Sequence, residues 1–324
     1  MRRPLFVTAA AAAAAIALAG CGTTEPAATA PAKDAKSISL TDATGAKVTL
    51  DGPAKKVVGT EWNVVESLVT LGVDPVGVAD VKGYTTWDTA VPLKNRPKDI
   101  GTRGEPSMDT IASLSPDLIV ATTDLPAAAV KQLRKIAPVL EVRSADAADP
   151  VGRMKENLDL IAEATGTTAK ADEAKKAFDA KVAEGAKTLA DAGLKGAGIA
   201  FADGYVASNQ VSIRPYTGGS LIGGVNEALG LKNAWSVEGD KDYGLATTDV
   251  EGLTKLGDVT FAYIGSDSEG SDVFADDLAD NSVWKSLPFV KKGDVHRLPD
   301  GIWMFGGPQS MESYVDAVVG ALTK

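Results

Sequence analysis

The sequence predicts an α/β protein of two lobes that are joined by a helical segment. Short apolar runs typical of buried strands alternate with runs of helical periodicity between residues 57 and 143, and the alternation returns between residues 198 and 322. The residues between these two regions show helical periodicity without a strand pattern. Such alternation is typical of parallel sheets covered by helices. The predicted boundaries are 37–150 for the first lobe, 151–193 for the helical linker and 194–324 for the second lobe.

In the first lobe, each element is assigned from its apolar spacing and its flanking turn residues. A β-hairpin is predicted around Thr44–Gly45, and residues 82–98 are predicted to be a long loop. The other predicted elements are, in order, strand Val57–Thr60, helix Glu61–Leu71, strand Pro75–Asp80, a helix that starts at Pro106–Asp109, strand Leu118–Ala121, helix Ala127–Ile136 and strand Pro138–Arg143.

The linker and the second lobe are assigned in the same way. Apolar residues mark one face of each of two linker helices, and Thr165–Thr168 is predicted to separate them. The predicted elements of the second lobe are, in order, strand Gly198–Ala202, helix Gly219–Leu229, strands Val259–Ile264 and Val295–Leu298, and helix Pro308–Leu322.

The N-terminus has the features of a secretion signal, so residues 1–20 are excluded from the fold. Arg2 and Arg3 supply positive charge, and an apolar run too short to cross a bilayer follows them. The next segment, Leu-Ala-Gly-Cys, resembles a bacterial lipobox, which implies cleavage before Cys21 and lipidation of its thiol. The alternative is an ordinary signal peptide with a spare cysteine. Residues 21–36 are rich in Ala, Thr and Pro and are predicted to form a flexible tether.

Charge and composition exclude several kinds of function. The chain has a net charge of -10, whereas a protein that binds the nucleic-acid backbone needs a basic surface. A single Cys excludes an internal disulfide, a Cys-type zinc site and a CxxC redox pair. A single His excludes a metal centre with several histidines. The numbers of Cys and His residues do not exclude a metal site made only of carboxylates.

No catalytic motif is found, and no catalytic residue is assigned. The sequence has no GxSxG elbow, no HExxH motif and no P-loop. A surface hydrolase is disfavoured because one histidine without a nucleophile elbow leaves no triad. That histidine, His296, falls in a predicted strand and is interpreted as structural.

An internal repeat relates the lobes and singles out one acidic residue in each. Asp109 is followed by apolar residues at positions +2 and +5 and then by a buried strand, and Glu251 is followed by the same pattern. Each of the two carboxylates is therefore predicted to start a helix that leads into a buried strand. Acidic residues are favourable at helix N-termini, which explains either carboxylate alone. A matched pair, one in each lobe, favours a surface that faces a protein partner.

A set of aromatic and cationic residues falls mostly in predicted loops. In open α/β sheets, ligands bind beyond the carboxyl ends of the strands. Loop aromatics with a few cationic donors would make an apolar pocket with polar anchors. The alternative is that these aromatics only cap the lobes. The candidate binding residues are Trp62, Tyr84, Trp87, Arg103, Arg214, Trp235, Tyr243 and Trp303.

Several short motifs recur together in one known family. They are Glu61-Trp62 with Val65-Glu66, Gly77-Val78-Ala79-Asp80, Tyr84 with Trp87, Gly101-Thr102-Arg103 with Glu105-Pro106, Asn233-Ala234-Trp235, Leu287-Pro288-Phe289-Val290 with Gly293, and Trp303 in a Gly-rich loop. With these motifs the chain resembles the periplasmic ferric-hydroxamate siderophore-binding proteins, and the ferric-dicitrate-binding proteins are similar. The resemblance implies two Rossmann-like lobes joined by a long inter-lobe helix, the class III periplasmic binding protein fold.

The resemblance also implies roles for the pocket residues. Arg103 is expected to hydrogen-bond to siderophore oxygens. Trp87, Trp235 and Trp303 fall on pocket aromatics of the family, and Tyr243 falls where the family usually has Trp. The family's pocket tyrosine has no counterpart in the segment Thr-Asp-Leu-Pro that follows the strand ending at Thr122.

Asp109 and Glu251 fall on the lobe-tip acids that dock to arginines of the membrane permease in the family. Asp109 replaces the usual Glu, which shortens its reach. The implied partners are therefore a ferric siderophore and the permease subunits of an ABC importer. We expect a monomer that is held through Cys21 at the extracytoplasmic face of the cell membrane and that has no nucleic-acid partner.

The ligand is expected to be a hydroxamate siderophore. A siderophore fills the coordination shell of its iron, so the protein needs neither a metal ligand nor a cofactor of its own. Planar arginine donors suit hydroxamate or carboxylate oxygens, and aromatic walls suit the organic part of the chelate. A catecholate complex, which carries high negative charge, is expected to need more basic groups. Ferric citrate, haem and corrinoids stay open as alternative ligands of the same fold.

Overall fold

The computed structural model of the chain describes residues 37–208 and 210–324. The predicted signal peptide, the lipidation site Cys21 and the predicted tether lie outside the described residues. Within the described part, no helix is both long enough and apolar enough to span a membrane.

The first lobe consists of a hairpin followed by a parallel five-stranded sheet with helices between its strands. The hairpin is antiparallel, and the sheet has the order β5-β4-β3-β6-β7 with every neighbouring pair parallel. The elements are β1 (Ile38–Thr41), β2 (Lys47–Leu50), β3 (Val57–Gly59), α1 (Trp62–Thr70), β4 (Gly77–Val78), α2 (Val81–Trp87), β5 (Lys98–Asp99), α3 (Met108–Leu114), β6 (Leu118–Thr122), α4 (Ala127–Leu133) and β7 (Val139–Val142).

Two helices form the linker, α5 (Pro150–Thr165) and α6 (Thr168–Asp191). Gly166 ends α5 in the left-handed conformation, with a φ of 70°, and glycine adopts this conformation at little cost. The predicted break between the linker helices is therefore confirmed. Helix α6 packs against both α5 and the C-terminal helix of the chain.

The second lobe is built around a sheet of order β10-β8-β11-β12, in which β9 adds to β8 as an antiparallel neighbour. The other pairs are parallel. The elements are β8 (Gly198–Ala207), β9 (Gln210–Pro215), α7 (Leu221–Ala228), β10 (Lys232–Asn233), β11 (Thr260–Tyr263), α8 (Ser282–Ser286), α9 (Pro288–Lys292), β12 (Val295–Arg297) and α10 (Pro308–Leu322). Single turns of 3₁₀ or π helix occupy Gly252–Lys255, Asp267–Glu269 and Val273–Asp277.

The two sheets share one topology, which confirms the internal repeat. Apart from the edge strand β5, which only the first sheet has, four parallel strands match in order. The earliest of them lies inside the sheet, the next along the chain pairs on one side, and the last two follow on the other side: β4-β3-β6-β7 and β10-β8-β11-β12. The acidic residue of each repeat precedes the third of these strands. Asp109 lies in the first turn of α3, whereas Glu251 precedes only a single 3₁₀ turn, so the second predicted helix is much shorter than expected.

The structure corrects two predicted loops. Residues 82–98 begin with a helix, α2, whose preceding residue Asp80 has a φ of 51° and accepts a hydrogen bond from the Gly83 N–H at 3.0 Å. Tertiary packing requires Gly83, because a Cβ there would lie 2.3 Å from the Trp62 ring. Arg214 lies in strand β9 and not in a loop, since residues 210–215 pair with the long strand β8.

One hydrophobic cluster joins the lobes. Trp62, Val65, Val78 and Tyr84 come from the first lobe, and Trp303 inserts among them from the second. Burial of large aromatic side chains contributes much of the stability of such contacts. The cluster fixes where the edges of the two lobes face each other.

Candidate functional site

A cavity of about 570 Å³ lies between the lobes. This size is within the range of small-molecule binding sites. The first lobe contributes Glu61, Trp62, Asn63, Asp80, Gly83, Trp87 and Arg103 to its lining. The second lobe contributes Asp203, Arg214, Tyr243, Leu245, Trp303, Met304 and Phe305. We call this cavity the cleft.

Arg103 reaches the cleft from the turn between β5 and α3. Gly101 starts that turn with a φ of 96°. The Nη1 atom of Arg103 donates to Glu61 Oε1 at 2.9 Å. The guanidinium carbon lies 3.9 Å from the centre of the Trp62 ring and 5.6 Å from that of Trp303. The bond to Glu61 uses one of the five N–H groups of an arginine, and the side chain is 36% exposed, so further donors can reach a ligand.

Glu61, the partner of Arg103, is also the N-cap residue of helix α1. Its Oε1 accepts a hydrogen bond from the backbone N–H of Trp62 at 2.8 Å. One carboxylate therefore caps a helix and pairs with the guanidinium, and charge-assisted hydrogen bonds of this kind are stronger than those between neutral groups.

Aromatic rings form a continuous wall across both lobes. Trp62 and Trp303 meet edge to face at 4.8 Å, and Trp87 lies 6.5 Å from Trp303. Phe305 continues the wall at 5.1 Å from Trp303 and 5.6 Å from Tyr243. Edge-to-face pairs at these distances are favourable. The wall gives the cleft an apolar surface that can cover the organic part of a ligand.

Arg214 lies on the second lobe and is paired with Asp203. The two residues are opposite each other in the β8–β9 ladder. Arg214 Nε donates to Asp203 Oδ1 at 2.9 Å, and Nη2 donates to the other carboxylate oxygen. The Tyr216 hydroxyl also donates to Asp203 Oδ2 at 3.1 Å. Burial, together with the charge of Asp203, raises the pKa of Tyr216 well above its usual value, so this phenol stays a neutral donor.

Tyr243 connects the two lobes beside the cleft. Its hydroxyl donates to the Oδ2 atom of Asp124, which follows strand β6 in the first lobe. Burial and then the hydrogen bond to Asp124 raise the pKa of Tyr243. Asp124 lies in the segment in which the family's pocket tyrosine has no counterpart, and its carboxylate accepts the hydrogen bond from Tyr243.

Two residues that the sequence assigned to the pocket lie behind it. Tyr84 is fully buried, and its hydroxyl donates to the Val91 carbonyl at 2.6 Å. The Trp235 indole N–H donates to the Phe201 carbonyl at 2.8 Å, and its ring packs against the core of the second lobe. Neither residue lines the cleft. Their assignment to ligand binding stays a prediction, because in this structure each ring packs into a core and its polar atom is bonded to backbone there.

Sequence reasoning missed several cleft residues. Glu61 was quoted only as part of a motif, although an acidic residue directly before a helix is a capping signal. Asp203 was missed because the strand was predicted to end one residue before it, and Phe305 was not separated from its Gly-rich loop. The charge balance of the cleft depends on Glu61 and Asp203.

The predicted docking residues are both exposed. Asp109 lies one residue after the start of α3, whose N-cap Ser107 accepts from the Thr110 N–H at 3.3 Å. Glu251 lies directly before the 3₁₀ turn at Gly252–Lys255. Neither carboxylate forms an ion pair with another residue in the described ranges, so both are accessible to a partner.

Among residues 37–208 and 210–324, no group of three or more His, Cys, Asp or Glu side chains is arranged to hold a metal ion. His296 lies in β12, away from the cleft, with Nε2 at 2.9 Å from Asp294 Oδ1. An iron ion in the cleft would therefore need ligands other than this histidine.

Comparison with known proteins identifies the family. The pattern described as "Periplasmic binding protein" matches residues 57–301, which include both sheets, the linker and most of the cleft. The chain belongs to the periplasmic binding protein family. It is therefore a substrate-binding protein of a transport system and not an enzyme.

Relatives of this periplasmic binding protein are known for different iron chelates. It is 31% identical to the Fe(3+)-citrate-binding protein YfmC of Bacillus subtilis (strain 168) over 279 residues, 82% of this chain and 80% of the relative. It is also 31% identical to the iron(3+)-hydroxamate-binding protein FhuD of the same organism over 224 residues, 67% of this chain and 66% of the relative. Identity alone thus does not separate the two ligand classes.

A solved structure has the same fold. The Fe3+-Desferal-bound siderophore-binding protein FhuD from Vibrio cholerae is superimposed with a TM-score of 0.73 and 26% identity, covering 83% of this chain and 98% of that chain. This match confirms the class III periplasmic binding protein fold.

Proposed function

We propose that this periplasmic binding protein captures a ferric hydroxamate siderophore in the cleft and delivers it to the permease of an ABC importer. The observation that carries the choice of ligand class is the charge of the cleft. Its charged lining consists of three carboxylates and two guanidinium groups, Glu61, Asp80, Asp203, Arg103 and Arg214, which leaves a net charge of −1.

Both arginines in the lining are already neutralised. Arg103 is bonded to Glu61, and Arg214 is bonded to Asp203 through two nitrogen atoms. Moving an anion out of water is costly unless unpaired positive groups receive it. Ferric tris-catecholate and ferric citrate complexes are anionic, so this cleft disfavours them.

A ferric hydroxamate fits the same geometry better. Three hydroxamate groups neutralise the charge of ferric iron, and a pendant ammonium group, where present, adds a positive charge. The iron-bound oxygens accept hydrogen bonds from the remaining Arg103 donors, and the aromatic wall covers the methylene chains. The iron arrives fully coordinated, so no cofactor or protein metal ligand is needed.

Delivery of the chelate to the permease is the role proposed for the two exposed acidic residues. We propose that Asp109 on the first lobe and Glu251 on the second bind basic residues of the permease. Lipidation at Cys21 would keep a monomer at the extracytoplasmic face of the membrane. The names of relatives support an anchored iron-uptake protein, since one is a probable siderophore-binding lipoprotein of Bacillus subtilis (strain 168).

Ferric citrate is the second candidate ligand, because one relative at 31% identity is a Fe(3+)-citrate-binding protein. Haem is less compatible with the cleft. Of its possible axial ligands, the Tyr243 hydroxyl is bonded to Asp124 and His296 lies elsewhere, which leaves Met304 in the lining.

Tryptophan fluorescence tests the proposal, since Trp62, Trp87 and Trp303 line the cleft. The protein is titrated with ferrioxamine B, ferrichrome, ferric citrate and a ferric tris-catecholate. We expect quenching with the smallest dissociation constants for the two hydroxamates. Tighter binding of ferric citrate would refute the hydroxamate assignment, and no quenching by any chelate would refute siderophore binding.

A further inference from the structure

Glu66 is a fully buried acidic residue at the contact between the lobes, outside the lining of the cleft. It extends from α1 of the first lobe. Its Oε1 accepts a hydrogen bond from the backbone N–H of Ser310 at 3.0 Å, and its Oε2 accepts from the Ser310 hydroxyl at 2.9 Å. Ser310 belongs to the first turn of α10 in the second lobe. A carboxyl group of one lobe therefore binds the start of a helix of the other.

Helix α10 lacks a cap of its own. Its N-cap residue is Gly307, which provides no side-chain hydrogen bond. The first N–H groups of a helix have no intrahelical partners, and an oxygen acceptor there is stabilising. Glu66 supplies that acceptor from the opposite lobe.

The approach between Glu66 and the second lobe is close enough to require glycine. A Cβ atom on Gly306 would lie 2.2 Å from Glu66 Oε2, and one on Gly307 would lie 3.1 Å from Glu66 Oε1. The two glycines thus let the backbone lie directly on the carboxyl group. This accounts for the glycine at position 306, where the approach is the closer of the two.

The capped segment is continuous with the wall of the cleft. The Gly306 N–H donates to the Trp303 carbonyl at 2.9 Å, which closes a turn over residues 303–306. Trp303, Met304 and Phe305 all line the cleft. The position of this turn therefore depends on where its C-terminal end is held.

The surroundings of Glu66 are acidic. Asp88, which follows α2, is also buried, and its Oδ1 lies 3.4 Å from the Ser310 hydroxyl. Other titratable groups lie near the pair. Besides burial, Asp88 and Glu66 help to raise the pKa of Tyr84 on α2. Besides burial, Glu66 also helps to raise the pKa of Glu312 on α10. Burial and then the charge of Glu66 raise the pKa of Asp88 to about 10, so the carboxyl pair keeps at least one proton at neutral pH.

We propose that Glu66 is a positioning residue for ligand binding, which caps α10 from the opposite lobe and thereby holds the Trp303–Phe305 turn in place against the first lobe. The proposal rests on the cleft as the ligand site. It makes the aromatic wall a preformed surface, with its C-terminal end held by a buried contact between the lobes.

The test uses three substitutions in the full chain. Glu66→Ala removes the cap, Glu66→Gln keeps an oxygen acceptor, and Ser310→Ala removes only the hydroxyl donor and stays informative if Glu66→Ala does not fold. The matched control is Gln309→Ala. Gln309 also joins α10 to α1, through Thr70 at 3.1 Å, but at an exposed position.

Two readouts are compared. Amide hydrogen exchange of residues 303–311, measured without ligand, shows whether the start of α10 and the turn before it are stabilised by the cap. Tryptophan fluorescence gives the dissociation constant for ferrioxamine B. We expect Glu66→Ala to speed exchange in this segment selectively and to weaken binding by about tenfold, the effect of losing one cap. Ser310→Ala should have a smaller effect in the same direction, whereas Glu66→Gln and Gln309→Ala should stay close to the parent protein.

Unchanged exchange in residues 303–311 of both Glu66→Ala and Ser310→Ala would overturn the proposal, and so would faster exchange spread evenly over the chain. Faster exchange in this segment with unchanged affinity would also overturn it, since the cap would then not position the cleft. If the parent protein binds none of the chelates, the proposed function fails, while the exchange result still decides whether Glu66 caps α10.

Discussion

Arg103 shows how one residue combines a structural bond with free donors. Glu61 fixes one edge of the guanidinium, and the Trp62 ring lies against its face at 3.9 Å. A guanidinium held in this way loses little conformational freedom when it binds a second acceptor. The residue therefore has the properties of a polar anchor in an otherwise aromatic cleft.

Replacing this anchor should weaken binding without unfolding the protein. We expect Arg103→Ala to raise the dissociation constant for ferrioxamine B by about 10- to 100-fold, the usual effect of losing hydrogen bonds to a charged group. Arg103→Lys should recover only part of the loss, because lysine lacks the planar fork. Fluorescence titration and thermal unfolding measure both effects, and Arg96→Ala, an exposed arginine of the same lobe, is the control. Unchanged affinity in Arg103→Ala would refute the role.

Asp203 determines how anionic a ligand the cleft accepts. We expect Asp203→Asn to change the net charge of the lining from −1 to zero and to leave Arg214 without its ionised partner. The affinity for ferric citrate should therefore rise relative to that for ferrioxamine B. Parallel titrations of both chelates give the ratio of dissociation constants. A ratio that stays the same or moves toward ferrioxamine B would contradict the charge argument.

At the scale of elements, α1, α2 and α10 meet around the buried pair Glu66 and Asp88. The pKa of Asp88 is raised from 3.8 to about 10, first by burial and then by Glu66. An acid with a raised pKa in the folded state favours folding most when both states are protonated. Its contribution is thus full below about pH 4 and is lost progressively as the pH rises toward about 10.

Asp88→Asn should remove this dependence, because an amide cannot ionise and its N–H can still donate to Glu66. We expect the unfolding temperature of the parent protein to fall between pH 5 and pH 9 by more than that of the variant. Thermal unfolding at both pH values measures this difference, with Asp74→Asn at an exposed site as the control. Parallel pH profiles for the parent and Asp88→Asn would show that the pair does not titrate as described.

The elements differ in how well the sequence predicts them. The C-terminal helix was predicted with its observed bounds, Pro308–Leu322, because a proline starts it and apolar residues recur on one face. Helix α2 was predicted as a loop, since its stability depends on the Trp62 ring packing against Gly83, a contact between residues distant in sequence. Strand β9 was missed for a similar reason, because its polar residues pair with the extension of β8 beyond its apolar part.

The cleft, like the elements, was predicted where local sequence was enough and was missed where contacts between distant residues decide. Its aromatic residues and Arg103 were found from residue type and motif, while the partners that set its charge were not. The pairings Arg103–Glu61 and Arg214–Asp203 depend on the relative positions of turns and strands. The burial of Tyr84 and Trp235 behind the cleft was not predicted, because the sequence does not show toward which side of a loop or helix a ring is buried.

For the whole molecule, the matched topology of the two lobes places one exposed acid before β6 in the first lobe and one before the equivalent strand β11 in the second. Basic residues on one partner could then pair with Asp109 and Glu251 at the same time and so contact both lobes. We expect Asp109→Lys combined with Glu251→Lys to abolish uptake of the iron chelate by cells that carry the permease. The affinity for the chelate in solution should be unchanged, because neither residue lines the cleft.

Asp109→Glu is the matched control for this pair of substitutions, and it should preserve uptake because it keeps the charge and extends the side chain. Uptake of radioactive iron supplied as the chelate measures delivery, and fluorescence titration measures capture. Full uptake by the double lysine variant would exclude these residues as docking contacts.

A crystal structure with ferrioxamine B tests whether a ferric hydroxamate occupies the cleft between the lobes. Anomalous scattering from iron locates the metal without reference to the protein. We expect one iron peak in the cleft, with chelate oxygens bonded to Arg103 and the organic chain against Trp87 and Trp303. An iron peak outside the cleft, or iron bound directly to protein carboxylates, would contradict this expectation.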